Sequence, residues 1–198
     1  MTSHPASTDH ATTWLRLQER AHQEFATRVA AVTDWNAPTP DTDWNVADLV
    51  RHVIEEQQWV PWLLSGLSPR QARSRLRPLD DADLQHEWHL FSLAATTAWH
   101  DAAPDSLVTL SYDTVPVLDY LKEQVSDVTI HAWDLARAVG AEESIDDELV
   151  AAVWTVFEPQ KETLEASGLF ASPVPVPDDA PLLSRLLALT GRDDRVAV

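Results

Sequence analysis

No cysteine occurs in the 198 residues, which excludes disulfides, thiolate metal ligands, iron–sulfur clusters and a cysteine nucleophile. Any metal site must be assembled from His, Asp and Glu. Glycine is almost as scarce, at four residues, and no Gly-rich phosphate loop is present, so nucleotide folds lose their main signature. Positive charge is short as well: 14 Lys and Arg stand against 32 Asp and Glu, a net charge of −18. A field of that sign repels phosphate backbones and anionic headgroups, so neither a nucleic acid nor a membrane is expected as a partner. No apolar run reaches the roughly 18 residues of a spanning helix. The opening MTSHPASTDHATT lacks the basic start and apolar stretch of a secretory signal, so a cytoplasmic location is expected.

What is present is a globular helical pattern. The chain is 44% hydrophobic, which is incompatible with disorder throughout, and its length permits a core without staples. Residues 9–33 read as a first helix, with Trp14, Leu17, Ala21, Phe25, Val29 and Val32 at steps of three and four. A second helix starts after Asn45, a good N-cap, with Asp48 at N3, and runs to about Gly66 unless Pro61 ends it early. Residues 67–78 form an Arg-rich linker (Arg70, Arg73, Arg75, Arg77), open to pairing with carboxylates or with an anionic ligand. A third helix is expected over about 80–102. SLVTLSY then alternates Val108, Leu110 and Tyr112 on one side as a short extended segment. A fourth helix runs from near Pro116 to Gly140 and a fifth from about Asp146 to Ala166. PVPVPDDA reads as extended, and a short helix at about 180–190 comes after it. The fold class expected is all-α: a four-helix bundle with additional C-terminal helices and at most a short extended segment. One domain over 1–198 is expected, with its bundle core at about 9–166 and a C-terminal arm at about 167–198.

The fourth helix carries the sharpest chemistry, in DVTIHAWDLARAVG. Asp127 and His131 stand at i and i+4 and share one face, with Asp134 three residues on. Polar groups on an otherwise apolar face need partners. A divalent cation held by the pair is one solution, and a buried Asp–His hydrogen bond is the other. His52, inside the second helix, is the best third ligand, or else a histidine at the edge of the core. His86 and His89, at i and i+3, are the runner-up pair. His4, His10, His22 and His100 read as exposed or terminal. Among the nine tryptophans, Trp59, Trp62, Trp133 and Trp154 are candidates for pocket walls or core.

TPDTDWNVADLVRHV, DVTIHAWDLARAVG and DDAPLLSRLLALTGRDD, taken in this order, resemble the DinB-like metal-binding helical bundles. The branch is the one related to the mycothiol-dependent maleylpyruvate isomerase N-terminal domain. The resemblance implies a DinB-like bundle with a crossover between its second and third helices, or an equivalent rearrangement. It implies a divalent metal, zinc first and nickel second, held by His52, Asp127 and His131. It also implies mycothiol or another small thiol as co-substrate, and a transferase or isomerase acting on a small electrophile. A bundle that binds metal or ligand without turnover, or one with a decayed site, is the alternative. Asp134 would orient His131 or make a local helix contact. Two departures stand out. Asp41 replaces a common Cys, and Glu55 and Glu56 occupy a turn where glycine is common, both adding negative charge. Monomer and homodimer are both compatible with the sequence.

Overall fold

The computed structural model describes residues 5–41, 43–168 and 170–196. Eight α-helices are described: α1 (Pro5–Ala30), α2 (Val46–Leu64), α3 (Pro69–Arg73), α4 (Leu84–Asp101), α5 (Val117–Val139), α6 (Asp147–Phe157), α7 (Lys161–Ser167) and α8 (Leu182–Leu189). Between α4 and α5 lies a hairpin of β1 (Leu107–Thr109) and β2 (Thr114–Pro116), antiparallel with Val108 opposite Val115. Four long helices, α1, α2, α4 and α5, make the bundle. α1 packs on α5 and α4, and α2 packs on the same two, so α1 and α2 face each other across a diagonal. The crossings therefore fall at the first-to-second and third-to-fourth connections, residues 31–45 and 102–116. The second-to-third crossover implied by the resemblance is not seen, because α2 and α4 are neighbours.

The core follows the apolar stripes. Trp14, Leu17, Ala21, Phe25 and Val29 of α1 are buried against Leu49, Val53 and Ile54 of α2 and Val128, Leu135 and Trp133 of α5 in one cluster. α5 is the most deeply enclosed helix, with fifteen buried residues. Gly140 closes it in the left-handed conformation (φ 68°), which a side chain at that position would strain.

Several boundaries differ from the sequence reading for identifiable reasons. The fifth helix stops at Phe157, passes through a 3-10 turn at Glu158–Gln160 and resumes as α7. Pro159 cannot donate a helical hydrogen bond and disfavours helix in the residue before it. α4 starts at Leu84 because Asp83 caps the His86 N–H. Pro61 is carried inside α2, three residues from its end. Val108 and Leu110 point inward, but the turn 110–113 swings Tyr112 out to donate to Glu123. The Arg-rich segment folds partly into α3. Arg77 binds Glu87 at 2.9 Å and stacks on Phe91, and Arg75 lies over the exposed Trp62. This is the carboxylate-pairing alternative.

A capping pair anchors the start of α2, the helix that carries His52. Asn45 accepts the Asp48 N–H at 2.9 Å, and the Asp48 carboxylate accepts the Asn45 N–H at 3.3 Å. This reciprocal pair satisfies two otherwise orphaned donors. Asn45→Ala is expected to lower stability by about 1 kcal/mol in urea unfolding.

Candidate metal centre

Two helices and one loop build the centre. His52 sits one and a half turns into the capped α2. Asp127 and His131 lie a turn apart on α5. His52 Nε2 stands 3.7 Å from Asp127 Oδ1, and His131 Nε2 stands 3.4 Å from the same oxygen. One ligand atom from each of the three lies within 4.8 Å of the others, and among the described residues no other His or acidic group assembles this way. Donors around a shared tetrahedral ion stand roughly 3.4 Å apart, so the triad needs only a small contraction. His86 and His89 are exposed on α4 and gather no third group. His100 pairs with Glu19 at 2.6 Å, and His10 accepts from Trp14. His4 lies outside the described residues.

The protonation logic argues for a cation. His131 Nδ1 lies 3.1 Å from Asp134 Oδ2. A neutral imidazole that donates from Nδ1 presents a bare lone pair on Nε2, and that lone pair faces the Asp127 carboxylate. Lone pair against carboxylate is repulsive, so a proton or a metal must intervene. The other oxygen of Asp127, Oδ2, is buried and has no hydrogen-bond partner, a costly arrangement without a ligand. Without metal, burial alone would lower the His131 pKa, but Asp127 and Asp134 outweigh it and raise it to about 9. Burial would raise Asp127, but His131 and His52 hold it well below the usual carboxylate range.

Behind this pair stands Arg192. Its guanidinium grips Asp134 with both arms, Nε to Oδ1 at 3.1 Å and Nη2 to Oδ2 at 2.8 Å. Asp134 is wholly buried and Arg192 is 6% exposed. Asp134 is thereby held ionised, its pKa lowered despite burial by Arg192 and His131. Asp41 also faces Arg192, at 3.8 Å, so its charge is absorbed there. Trp44 covers the front of the site, its ring centroid 4.8 Å from His52 and 5.7 Å from His131. The Thr39 hydroxyl pins it by donating to its carbonyl at 3.0 Å.

A cavity of about 460 Å³ opens beside Asp127, walled by Glu56, Tyr112, Val156, Phe157 and Phe170. Glu56, one turn after His52, has its pKa raised by burial and by Asp127. Of the tryptophans proposed as walls, Trp59 lines a cavity, Trp62 is exposed, Trp133 is buried under Arg137, and Trp154 is half-buried against Arg185.

The sequence reading missed three residues. Arg192 gave no local signal, because its partner lies 58 positions away. Trp44 belongs to the TPDTDWNVADLVRHV stretch that carries the resemblance, but that stretch gave it no place over the site. His22 was expected to be exposed, but it is buried in α1 between Gln18, Thr96, Gln57 and Trp88. Burial lowers its pKa to about 4. Its place on the Gln18–Phe25 stripe was the available clue.

The model of the mycothiol maleylpyruvate isomerase N-terminal domain matches residues 18–136, a span that contains the triad and Asp134 but not Arg192. Proteins of two Mycobacterium tuberculosis strains are 31% identical over 194 residues, covering 91% of this chain and 98% of theirs. A crystal structure of the mycothiol-dependent maleylpyruvate isomerase superposes with a TM-score of 0.65 at 17% identity, over 92% of this chain and 89% of that one. A point mutant of that enzyme gives 0.68 at 15%, over 93% and 90%. At these identities the structures show a shared fold.

The geometry has three measurable consequences. In the metal-free protein His131 titrates higher when folded than its ordinary value near 6.5. Its contribution to stability is therefore complete below pH 6.5 and is lost as pH rises through about 9, up to about 3 kcal/mol. Urea unfolding across pH 6–10 measures it, and saturating zinc should stabilise more at the high end, where no proton competes. Arg192→Leu leaves Asp134 buried without its counter-charge and should cost about 3–5 kcal/mol. Asp134→Asn, the milder change, should weaken metal affinity about 10–100-fold, read by competition with a chelating dye.

Proposed function

The chain belongs to the mycothiol maleylpyruvate isomerase N-terminal domain family, and from that premise we propose a metal- and small-thiol-dependent transferase or isomerase acting on a small electrophile. The observation that carries the proposal is the convergence of His52, Asp127 and His131 within 4.8 Å, with the second oxygen of Asp127, Oδ2, buried beside them without a hydrogen-bond partner. These three side chains would hold a divalent cation, zinc first and nickel second. Two imidazoles and one carboxylate leave coordination positions open, as a catalytic site requires. A cation held there would supply Lewis acidity, the chemistry that lowers the pKa of a small thiol such as mycothiol toward neutral pH. The co-substrate brings the sulfur, and a chain without cysteine needs none of its own.

The protein's residues do the positioning. Asp134 keeps a proton on Nδ1 of His131 and so turns the Nε2 lone pair toward Asp127. Arg192 keeps Asp134 ionised and fixed. Trp44 shields the imidazole rings from water on the loop side. The cavity beside Asp127 gives the electrophile its approach. The solution setting that fits this chemistry is the cytoplasm. Among the described residues no helix is long and apolar enough to cross a membrane.

Untagged protein is expected to carry about one zinc or nickel per chain by elemental analysis, and His52→Ala and His131→Ala should each lose it. The loaded protein should accelerate loss of monochlorobimane only when a small thiol is supplied. In that reaction a sulfur–carbon bond forms, the carbon–chlorine bond breaks, chloride leaves and the thiol proton passes to solvent. Metal content that survives both substitutions overturns the site. Full metal content with no thiol-dependent turnover points to the binding-protein alternative.

A further inference from the structure

Two cavities meet beside the triad. The one of about 460 Å³ and its neighbour of about 270 Å³ share Glu56, Tyr112, Glu123 and Gln124 in their walls. Three carboxylates face this space: Asp127, Glu56 and Glu123. Neither lining contains a lysine or an arginine. Two nearby cations are committed elsewhere, and Lys161, next to Gln160, lines a separate cavity beside Trp154. Arg192 stacks 5.6 Å from the Phe170 ring, but its guanidinium is buried on Asp134. Lys122, one residue before Glu123, pairs with Asp119 at 2.9 Å. Three of the neutral donors are occupied as well: Tyr112 donates to Glu123, Gln124 to Glu56, and Gln160 to the Val156 carbonyl. Apart from Thr163, the rest of the larger cavity's wall is apolar, with Val156, Phe157, Leu164 and Phe170.

Sites that take organic carboxylates or phosphates supply arginine forks, lysines or clustered backbone donors to balance the charge. This space supplies the reverse. With all three carboxylates ionised, a bound divalent cation at +2 would leave a net charge of about −1. An anionic substrate would give up its hydration for a wall of its own sign, whereas an apolar body would be covered by the aromatic face. Aromatic rings beside carboxylates also tolerate a cationic group.

Resting on the proposed thiol-dependent reading of the same centre, we infer that its substrate is an apolar electrophile with no anionic group, so that dicarboxylates of the maleylpyruvate kind are excluded. Glu56 and Glu123 set this selectivity by like-charge rejection. It is a property of this chain's own cavity walls and is independent of which thiol is used.

The test is a calorimetric titration of the zinc-loaded protein with ligands of one body and three charges: 1-naphthylmethanol, 1-naphthylmethylamine and 1-naphthylacetate, with maleate as the dianion. The alcohol and the amine should bind. Naphthylacetate should bind at least tenfold more weakly than the alcohol, and maleate should not be detected. In Glu56→Gln/Glu123→Gln, the gap between alcohol and carboxylate should narrow to within about threefold. Glu123 is exposed, so Glu123→Gln alone is expected to fold and to narrow the gap in the same direction if the double variant does not. The inference is overturned if naphthylacetate or maleate matches the alcohol, if the gap is unchanged in the variants, or if no naphthyl ligand binds. The titration contains no thiol and reads no turnover. A failure here therefore leaves the thiol chemistry standing, and absence of thiol-dependent turnover with the selectivity intact retires the proposed function alone.

Discussion

A carboxylate with no exposed surface is expensive to keep ionised, and Asp134 is one. The fold meets that cost with the Arg192 guanidinium, brought in from the segment after α8 and seated on both oxygens. Once charged, Asp134 fixes the tautomer of His131, and His131 in that tautomer aims its lone pair at Asp127. Each step is short-range, yet the chain of consequence links the C-terminal arm to the middle of α5. A buried ion pair is poor evidence for stability, since apolar residues of similar volume often serve as well. Its value here lies in orientation, which hydrophobic packing would not supply.

The rest of the bundle brings further polar groups to the same place. A ladder of buried side chains runs from His22 through Gln57 and Gln124 to Glu56, linked at 3.2, 3.1 and 3.3 Å. It crosses the core from α1 to the wall of the cavity beside Asp127. Each member finds a partner, so the network specifies one packing rather than weakening it. The end at His22 is neutral, its pKa lowered by burial, and it borders a cavity of about 390 Å³. The end at Glu56 borders the cavity beside Asp127. The guanidinium nearest this end, Arg192, is already bound to Asp134.

Much of this was legible in the residues. The Asn45–Asp48 capping pair, the Gly140 stop and the i,i+4 placement of Asp127 and His131 depend on local rules, and the structure shows each. His52 was legible as the best third ligand from its place in the second helix, and the bundle carries it to Asp127 across helices. What was hidden depends on distance in the chain. Arg192 meets Asp134 only after α8 packs on α6, and no periodicity reports that. His22 looked solvated because histidine is polar, although its position follows the buried stripe of α1. The break at Pro159 was visible as a residue but was overridden by the apolar run around it. Asp41 read as added negative charge in place of a common Cys, and its partner is Arg192 at 3.8 Å.

The central claim is that His52, Asp127 and His131 together form an open divalent-metal centre meant for an external thiol. X-ray absorption at the zinc edge of the loaded protein, recorded before and after addition of mycothiol, tests it most directly. The account predicts a first shell of two imidazole nitrogens and light oxygen donors with no sulfur, followed by one sulfur scatterer at about 2.3 Å once the thiol is present. Because the chain contains no cysteine, that sulfur can come only from the thiol. A shell without imidazole, or one that the thiol leaves unchanged, would contradict the account.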